Sequence, residues 1–582
     1  MFKLAKKFDT KSWFTVVGIF ALVVLQVWLD LTMPDFTSKL TKTVAQTGVT
    51  MKDIWYNGGM MLLCALGSMC CSFACGFLCA RLASKTALRL REDLYKQIND
   101  FSNAEMKKFS TPSLITRTTN DVTQIQNFVA IGLQLLLKAP VMAIWAITKI
   151  SSTSIEWTMA TLITVAVLVV CVVVIVLVAL PMFKKIQKLI DNLNNTVREN
   201  VSSVRVVRAF NAEGYQQNKF EDVNKTLTKN QMGTSIATGL LMPVMTLCMN
   251  GLTLAIYWIG AVLINKAEIV ERAAIIGNMT AFTQYALQVV MAFIMLVAIF
   301  IILPRCVVSA RRINEVLDTK ISIVEGNASS KADVKGLVEF KDVAYTYPDG
   351  QNEVISNINF TAKKGETIAI IGSTGSGKTT LINLIPRFND ATHGEVLVDG
   401  LNVKEYKEQD LQNKIAVVTQ KACLFKGDIK SNIIYGCDQE VDDNDERIKK
   451  AIDISQSNFV ELMEKGIHSP VAQGGTNFSG GQKQRLSIAR AVFKDAEIMI
   501  FDDSFSALDY KTDMLVRKNL KQELSDKTVF IVAQRIGTIK DADKIIVLDD
   551  GKIVGMGRHN ELLENCEVYK EIALSQLNKE EL

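Results

Sequence analysis

Two things are scarce in this 582-residue chain: net charge and histidine. A formal charge of +5 is too mild to point to nucleic acid as a partner. The three histidines, His393, His468 and His559, lie in unrelated segments. None stands near the five clustered cysteines, Cys64, Cys70, Cys71, Cys75 and Cys79. Cys71, Cys75 and Cys79 recur every four residues and share one helix face in an apolar setting. Without histidine beside them, small-residue packing outweighs a metal site. The other six cysteines are scattered, which argues against a disulfide framework. No cleavable signal peptide is expected either. Met1–Ser12 carries four lysines, and the first apolar run is long enough to span, so a retained first transmembrane helix is expected.

Apolar sequence, by contrast, is abundant. Hydrophobic residues make up 49% and the mean hydropathy is +0.19, which calls for a membrane portion. The length calls for two or more domains. A helix of about 20 residues crosses the hydrocarbon core. Six stretches qualify, at about 13–33, 58–80, 128–147, 157–180, 236–264 and 275–303. Buried core helices are the competing reading, but Val165–Leu180 is wholly apolar and argues against it.

Lysine and arginine then set the orientation. Lys3, Lys6, Lys7 and Lys11 precede the first span, Arg81, Lys85, Arg89 and Arg91 follow the second, Lys184, Lys185 and Lys188 the fourth, and Arg305, Arg311 and Arg312 the sixth. The positive-inside rule therefore places both termini in the cytoplasm. Arg81–Asn127 and Pro181–Ser235 are rich in helix formers and are expected to continue the spans as cytoplasmic helices. The expected layout is an all-α six-span domain over 1–317, a polar linker over 318–335, and an α/β domain over 336–582.

The chemistry lies in the third segment. Thr367–Ile371 reads as a buried strand, Gly372-Ser-Thr-Gly-Ser-Gly-Lys-Thr379 follows, and a helical pattern begins at Thr380. This is the strand, G-x-x-x-x-G-K-[ST], helix arrangement of a phosphate-binding loop. The backbone of Gly372, Ser373, Thr374, Gly375, Ser376 and Gly377 can turn N–H groups toward phosphate oxygens, and the helix start at Lys378–Thr380 adds its dipole. Lys378 is expected to reach the β- and γ-phosphates of ATP, and the Thr379 hydroxyl to ligate Mg²⁺. The apolar strand Ile498–Phe501 ends at Asp502, a carboxylate placed to hold the same Mg²⁺. Between them, Ser479-Gly480-Gly481-Gln482 opens a helix. It reads as a second phosphate-facing nest, with an ordinary glycine turn as the competing reading. Two such nests in one chain suggest a nucleotide shared between two copies of the domain.

Together, the P-loop at Gly372, Ser479–Gln482, Asp502 and Ser506-Ala-Leu-Asp509 resemble the ATP-binding cassette (ABC) family. Six spans fused to one cassette resemble an ABC exporter half-transporter. The resemblance implies that Tyr347 stacks on adenine, that Gln420 contacts Mg²⁺ or water and links ATP to the membrane helices, and that Asp509 belongs to the nucleotide site. It implies coupling regions at Leu114–Asp121 and Ser203–Phe210, and a loop at Val471–Asn477 that touches the other half's cytoplasmic helices.

Two positions depart from the family pattern. The residue after Asp502 should be a glutamate that polarises the attacking water, and Asp503 stands there. Its shorter side chain falls short by about 1.5 Å, and a 1 Å misplacement costs about 10²-fold in rate. A histidine is expected after Val529–Ala533, and Gln534 stands there. Glutamine can donate one hydrogen bond but cannot shuttle a proton. Asp503, Gln534 and Lys378 are therefore the candidate catalytic positions of a degenerate site, while the signature is intact. The expectation is a heterodimer whose second half-transporter supplies the glutamate and histidine. The further expectation is ATP-driven export of hydrophobic or amphipathic, drug-like compounds across a plasma membrane. Lipid or peptide export, or an ATP-gated regulator or channel subunit that does not pump, are the alternatives. Lys138, mid-span, is a functional candidate by its charge. Met242, Met245, Met249, Met291 and Met295, with Asn250, Gln284 and Gln288, suit diverse apolar ligands, although lipid-facing or packing methionine is an equal reading.

Overall fold

The computed structural model describes residues 9–45, 51–151, 155–329, 335–437 and 441–576. The chain divides into two compact units, Met1–Asn99 with Pro112–Asp318, and Asp100–Thr111 with Thr319–Leu582.

The first unit is helical. Its long helices are α1 (Thr10–Ala45), α2 (Met51–Asn99), α4 (Thr111–Ser151), α5 (Ile155–Ser202), α7 (Glu213–Lys266) and α8 (Ile269–Leu317). Each is long and apolar enough to cross a membrane. The short α3 (Asn103–Phe109) belongs to the second unit, and α6 (Val204–Ala209) forms the turn between α5 and α7. At 1.5 Å per residue the 49 residues of α2 extend about 74 Å. That is more than twice the roughly 30 Å hydrocarbon core, so the helix continues well beyond its apolar stretch.

α1 and α2 pack closely. Ile19, Val23, Val27 and Leu31 form the buried stripe of α1 at four-residue spacing, and Cys71, Cys75 and Cys79 are buried along one face of α2. Gly67 admits Leu29, whose Cδ1 would lie 3.0 Å from any added Cβ, as expected where small residues bring spans together. Ion pairs join α1 to α4, with Lys138 Nζ 3.3 Å from Asp30 and Lys149 Nζ 2.7 Å from Asp35. Tyr285 of α8 donates to Asp35 as well. On α5, Val170, Val174 and Leu177 are exposed, as suits a face turned to lipid or to another chain.

α4 differs from expectation. Leu114–Asp121 is not a separate element but part of the continuous helical run that opens α4. The physical reason is the absence of a breaker: Pro112 sits in the first turn, where its missing N–H costs nothing. The break lies earlier, at Ser110, whose φ is +57°. α6 does fall within the Ser203–Phe210 coupling region.

The second unit is α/β. A four-stranded sheet runs β2-β1-β4-β5, from β1 (Val338–Tyr345), β2 (Ile355–Ala362), β4 (His393–Val398) and β5 (Leu401–Asn402). A six-stranded sheet runs β12-β11-β3-β10-β9-β6, from β3 (Thr367–Gly372), β6 (Ile415–Val418), β9 (Ile498–Asp502), β10 (Thr528–Val532), β11 (Lys544–Asp549) and β12 (Lys552–Gly557). A small pair, β7 (Gly427–Asp428) and β8 (Pro470–Val471), lies outside both. β3, β6, β9, β10 and β11 are parallel and read as nearly unbroken apolar runs, as strands covered on both faces must. The polar stretch after Asp318 does not stay clear of this unit. Ala328 bridges to Tyr406, and Gly326 lies so close to Glu405 that a Cβ would meet its carbonyl at 2.1 Å.

Candidate functional site

The strand order β3-β10-β9-β6 brings four strand ends side by side. Parallel strands present their carboxyl ends on one edge, where open α/β sheets bind ligands. The P-loop follows β3, Gln534 lies just past β10, Asp502 ends β9 with Asp503 next, and Gln420 lies just past β6. Residues scattered over more than 160 positions of sequence are thereby collected at one edge.

The P-loop requires its glycines. Gly377 holds φ at +93°, and a Cβ there would meet Ile355 Cγ2 at 2.5 Å. At Gly372 a Cβ would meet the Leu548 carbonyl at 2.1 Å. Ser373, Thr374 and Gly375 are exposed at the loop tip, and Ser376 and Thr380 are buried. Lys378 and Thr379 open the following helix, Lys378–Ile382. The Lys378 ammonium folds back on its own loop, donating to the carbonyls of Gly372 at 2.9 Å and Ser373 at 2.6 Å. Burial pushes this ammonium below the usual lysine range, against the pull of Asp503 and Asp502. A cation set among backbone carbonyls can exchange them for phosphate oxygens at little cost in geometry.

Thr379 Oγ1 donates to Asp502 Oδ1 at 3.1 Å, so hydroxyl and carboxylate stand together as oxygen ligands of the kind Mg²⁺ takes. Burial raises the Asp502 carboxyl above its usual range, the Thr379 bond opposes this, and Asp503 adds to it. Asp503 itself sits at φ +45°, with its N–H on the Val532 carbonyl at 3.0 Å, locking β9 to β10. Its Oδ2 accepts from Gln534 Nε2 at 3.0 Å and from Gln420 Nε2 at 3.3 Å. Two amides therefore converge on one carboxylate oxygen.

Tyr347 donates or accepts a bond with Thr380 Oγ1 at 3.0 Å and stands edge-on to Tyr345, at 83°. Its ring is covered by Lys107 of α3, whose Nζ lies 4.4 Å from the centroid. Ser479 caps the helix Gly480–Lys494: its hydroxyl accepts from Gln482 N at 3.3 Å, and Gln482 Oε1 accepts from Ser479 N at 2.9 Å. That reciprocal pair presents Ser479 and Gly480, both exposed, at the start of a 15-residue helix. Gln484 of the same helix reaches the Thr419 carbonyl at 3.4 Å, next to Gln420. Asp509 caps the helix Tyr510–Glu523 through Thr512 N at 3.0 Å, so its carboxylate is engaged locally. The histidines are engaged elsewhere: His393 with the Asp342 carbonyl, His468 with Asp428 and Asp443, and His559 with Tyr569.

Sequence reasoning missed α3 and Lys107. The signal was present, since Ser102 and Glu105 form the Ser-x-x-Glu capping box that starts α3. It also missed Asp30 as the partner of Lys138. Gln288 donates to the Asp30 carbonyl at 3.1 Å, so this glutamine bonds to α1.

An α-helical six-span unit followed by an α/β nucleotide cassette defines an ATPase coupled to membrane transport. Residues 16–293 match the ABC transporter transmembrane region family, and residues 355–506 match the ABC transporter family. An uncharacterized ABC transporter ATP-binding protein of Mycobacterium tuberculosis is 38% identical over 541 residues, covering 92% of this chain and 90% of that one. YfiB of Bacillus subtilis, another ABC transporter ATP-binding protein, is 31% identical over 576 residues, covering 98% of both. An ATP-dependent lipid A-core flippase of Bordetella avium is 29% identical over 500 residues, covering 86% and 83%. A bacterial Atm1-family ABC exporter solved with ATP bound shares the fold, with a TM-score of 0.79 at 21% identity over 98% of this chain and all of that one. The chain belongs to the ABC transporter family and has the exporter architecture, a multi-pass membrane half-transporter that binds ATP.

Proposed function

We propose that this chain is one half of a heterodimeric exporter of hydrophobic or amphipathic compounds, and that its own ATP site is the weakly hydrolytic one. The observation that carries the reading is the convergence of Gln534 and Gln420 on Asp503. Where the family pattern calls for glutamate and histidine, this site holds a shorter carboxylate and an amide. Asp503 is tethered by neutral donors, and its side chain is one methylene shorter than glutamate. Gln534 can hold a γ-phosphate oxygen by one hydrogen bond but moves no proton. Lys378, the P-loop amides and Tyr347 bind ATP, while Thr379 and Asp502, with Gln420, hold Mg²⁺. When bound there, Mg²⁺ would supply charge neutralisation for the phosphates.

The signature is the complement. Ser479 and Gly480 are exposed and pre-formed by their capping box, so they suit a second cassette's ATP. The partner half-transporter then supplies catalytic glutamate and histidine at that second site. Both termini and the cassette face the cytoplasm by the lysine and arginine bias. Lipid export is the second reading, favoured by similarity to proteins named lipid A-core flippases. The test is export from inverted vesicles, with fluorescent drug and fluorescent lipid as alternative cargoes, with and without ATP. ATP-dependent movement of the drug supports the reading, movement of lipid alone supports the second, and movement of neither contradicts both.

A further inference from the structure

A cleft of about 600 Å³ opens between α1 and α2, inside the first two spans. Gln26 and Asp30 line it from α1, and Ser68 and Ser72 from α2. Gln26 is 6% exposed, and its Oε1 has no hydrogen-bond partner among the described residues. Asp30 takes the Ser68 hydroxyl on Oδ1 and Lys138 Nζ on Oδ2, the latter at 3.3 Å. A carboxylate offers about four lone-pair sites, so acceptor capacity is left over. Ser68 and Lys138 each use only part of the Asp30 carboxylate, and what the cleft lacks is donors.

Hydrocarbon supplies no donors, and polar groups at this depth turn toward protein or a water-filled path. An unpaired buried acceptor beside a part-used carboxylate therefore marks a place prepared for a donor. Met33, Met69 and Phe73 add polarisable surface to the wall, which suits an ammonium on an apolar body. A primary ammonium carries three donors, which match Gln26 Oε1, the spare Asp30 lone pairs and a serine oxygen.

We propose that Gln26, Asp30, Ser68 and Ser72 form a subsite for the primary-amine head of an apolar amphiphile. This deepens the exporter reading and rests on it, because it names a substrate class for that transport path.

The probes are dodecylamine and dodecanol, which share a chain and differ in the head. Equilibrium binding to the full transporter in lipid nanodiscs should be saturable for the amine and at least about tenfold tighter than for the alcohol, the scale of one hydrogen bond to a charged group. Gln26→Leu should erase that preference, and the isosteric Gln26→Glu should strengthen it. Retention of the ATP-induced thermal shift shows that each variant is folded. Equal binding of the two probes overturns the subsite. So does an amine preference that survives in Gln26→Leu or ignores Gln26→Glu. ATP-driven export with no amine preference sinks the subsite alone. Amine binding that depends on Gln26 without any ATP-driven export sinks the exporter reading and leaves the subsite standing.

Discussion

Gln534 Nε2 lies 3.0 Å from Asp503 Oδ2, the same oxygen that Gln420 reaches from 3.3 Å. Three strand ends, of β10, β9 and β6, thus meet through one carboxylate. The contact joins the two positions that depart from the family pattern to a third that keeps it. Restoring both departures should restore the chemistry. Asp503→Glu with Gln534→His is expected to raise turnover at this site at least about tenfold, since reach and proton transfer each carry a large share of the rate. Phosphate release by the purified chain alone at saturating ATP, where no partner site masks it, reads the gain, and unchanged release means that these positions do not limit the site.

Lys378 should govern nucleotide binding. Its ammonium now rests on the Gly372 and Ser373 carbonyls. Lys378→Ala removes the cation and is expected to abolish most of the ATP-induced rise in Tm, because stabilisation follows ligand affinity. A Tm shift equal to that of the unaltered chain would place the phosphates elsewhere.

The α3 capping box should hold that helix together. Ser102→Ala removes one of two reciprocal bonds and should cost about 1 kcal/mol locally. Hydrogen exchange over residues 103–109 is expected to speed up by about fivefold, while exchange in β3 and β9 stays unchanged.

The Asp30–Lys138 pair should be worth more than a surface bridge, with side chains only 26% and 15% exposed. Lys138→Met alone leaves Asp30 short of a partner and should cost about 1–3 kcal/mol after discounting for partial exposure. Adding Asp30→Asn should recover part of that loss. Thermal unfolding in nanodiscs checks the cycle, and strictly additive losses would mean that the two side chains do not interact in the membrane.

His468 makes the small β7–β8 region sensitive to pH. Asp443 and then Asp428 raise its pKa above the ordinary 6.5. A group raised on folding stabilises fully below the unfolded value and loses that contribution as pH rises through the folded one. Hydrogen exchange around Ile429–Ile433 should therefore quicken as pH passes upward from about 6.5, after correction for the intrinsic exchange rate. His468→Gln should flatten that dependence.

Local signals carried much of this structure. Gly372–Thr379 between an apolar strand and a helical pattern was readable because each piece is fixed by neighbours in sequence, and the same holds for Ser479–Gln482. α3 was readable in principle from Ser102 and Glu105, yet coupling was expected at Leu114–Asp121, where nothing stops the helix that begins at Thr111. The pair of Asp30 with Lys138 and the meeting of Gln420, Asp503 and Gln534 were not legible. Both depend on which helices and strands become neighbours, a tertiary outcome that no local pattern encodes.

The central claim is that this chain binds ATP but needs another polypeptide to turn it over. The direct measurement is steady-state phosphate release by the purified chain alone, beside the same chain assembled with a half-transporter carrying glutamate and histidine at the matching positions. The account predicts ATP binding with near-background release for the chain alone, and robust release on assembly that Ser479→Ala in this chain strongly reduces. Robust hydrolysis by the chain alone would contradict it.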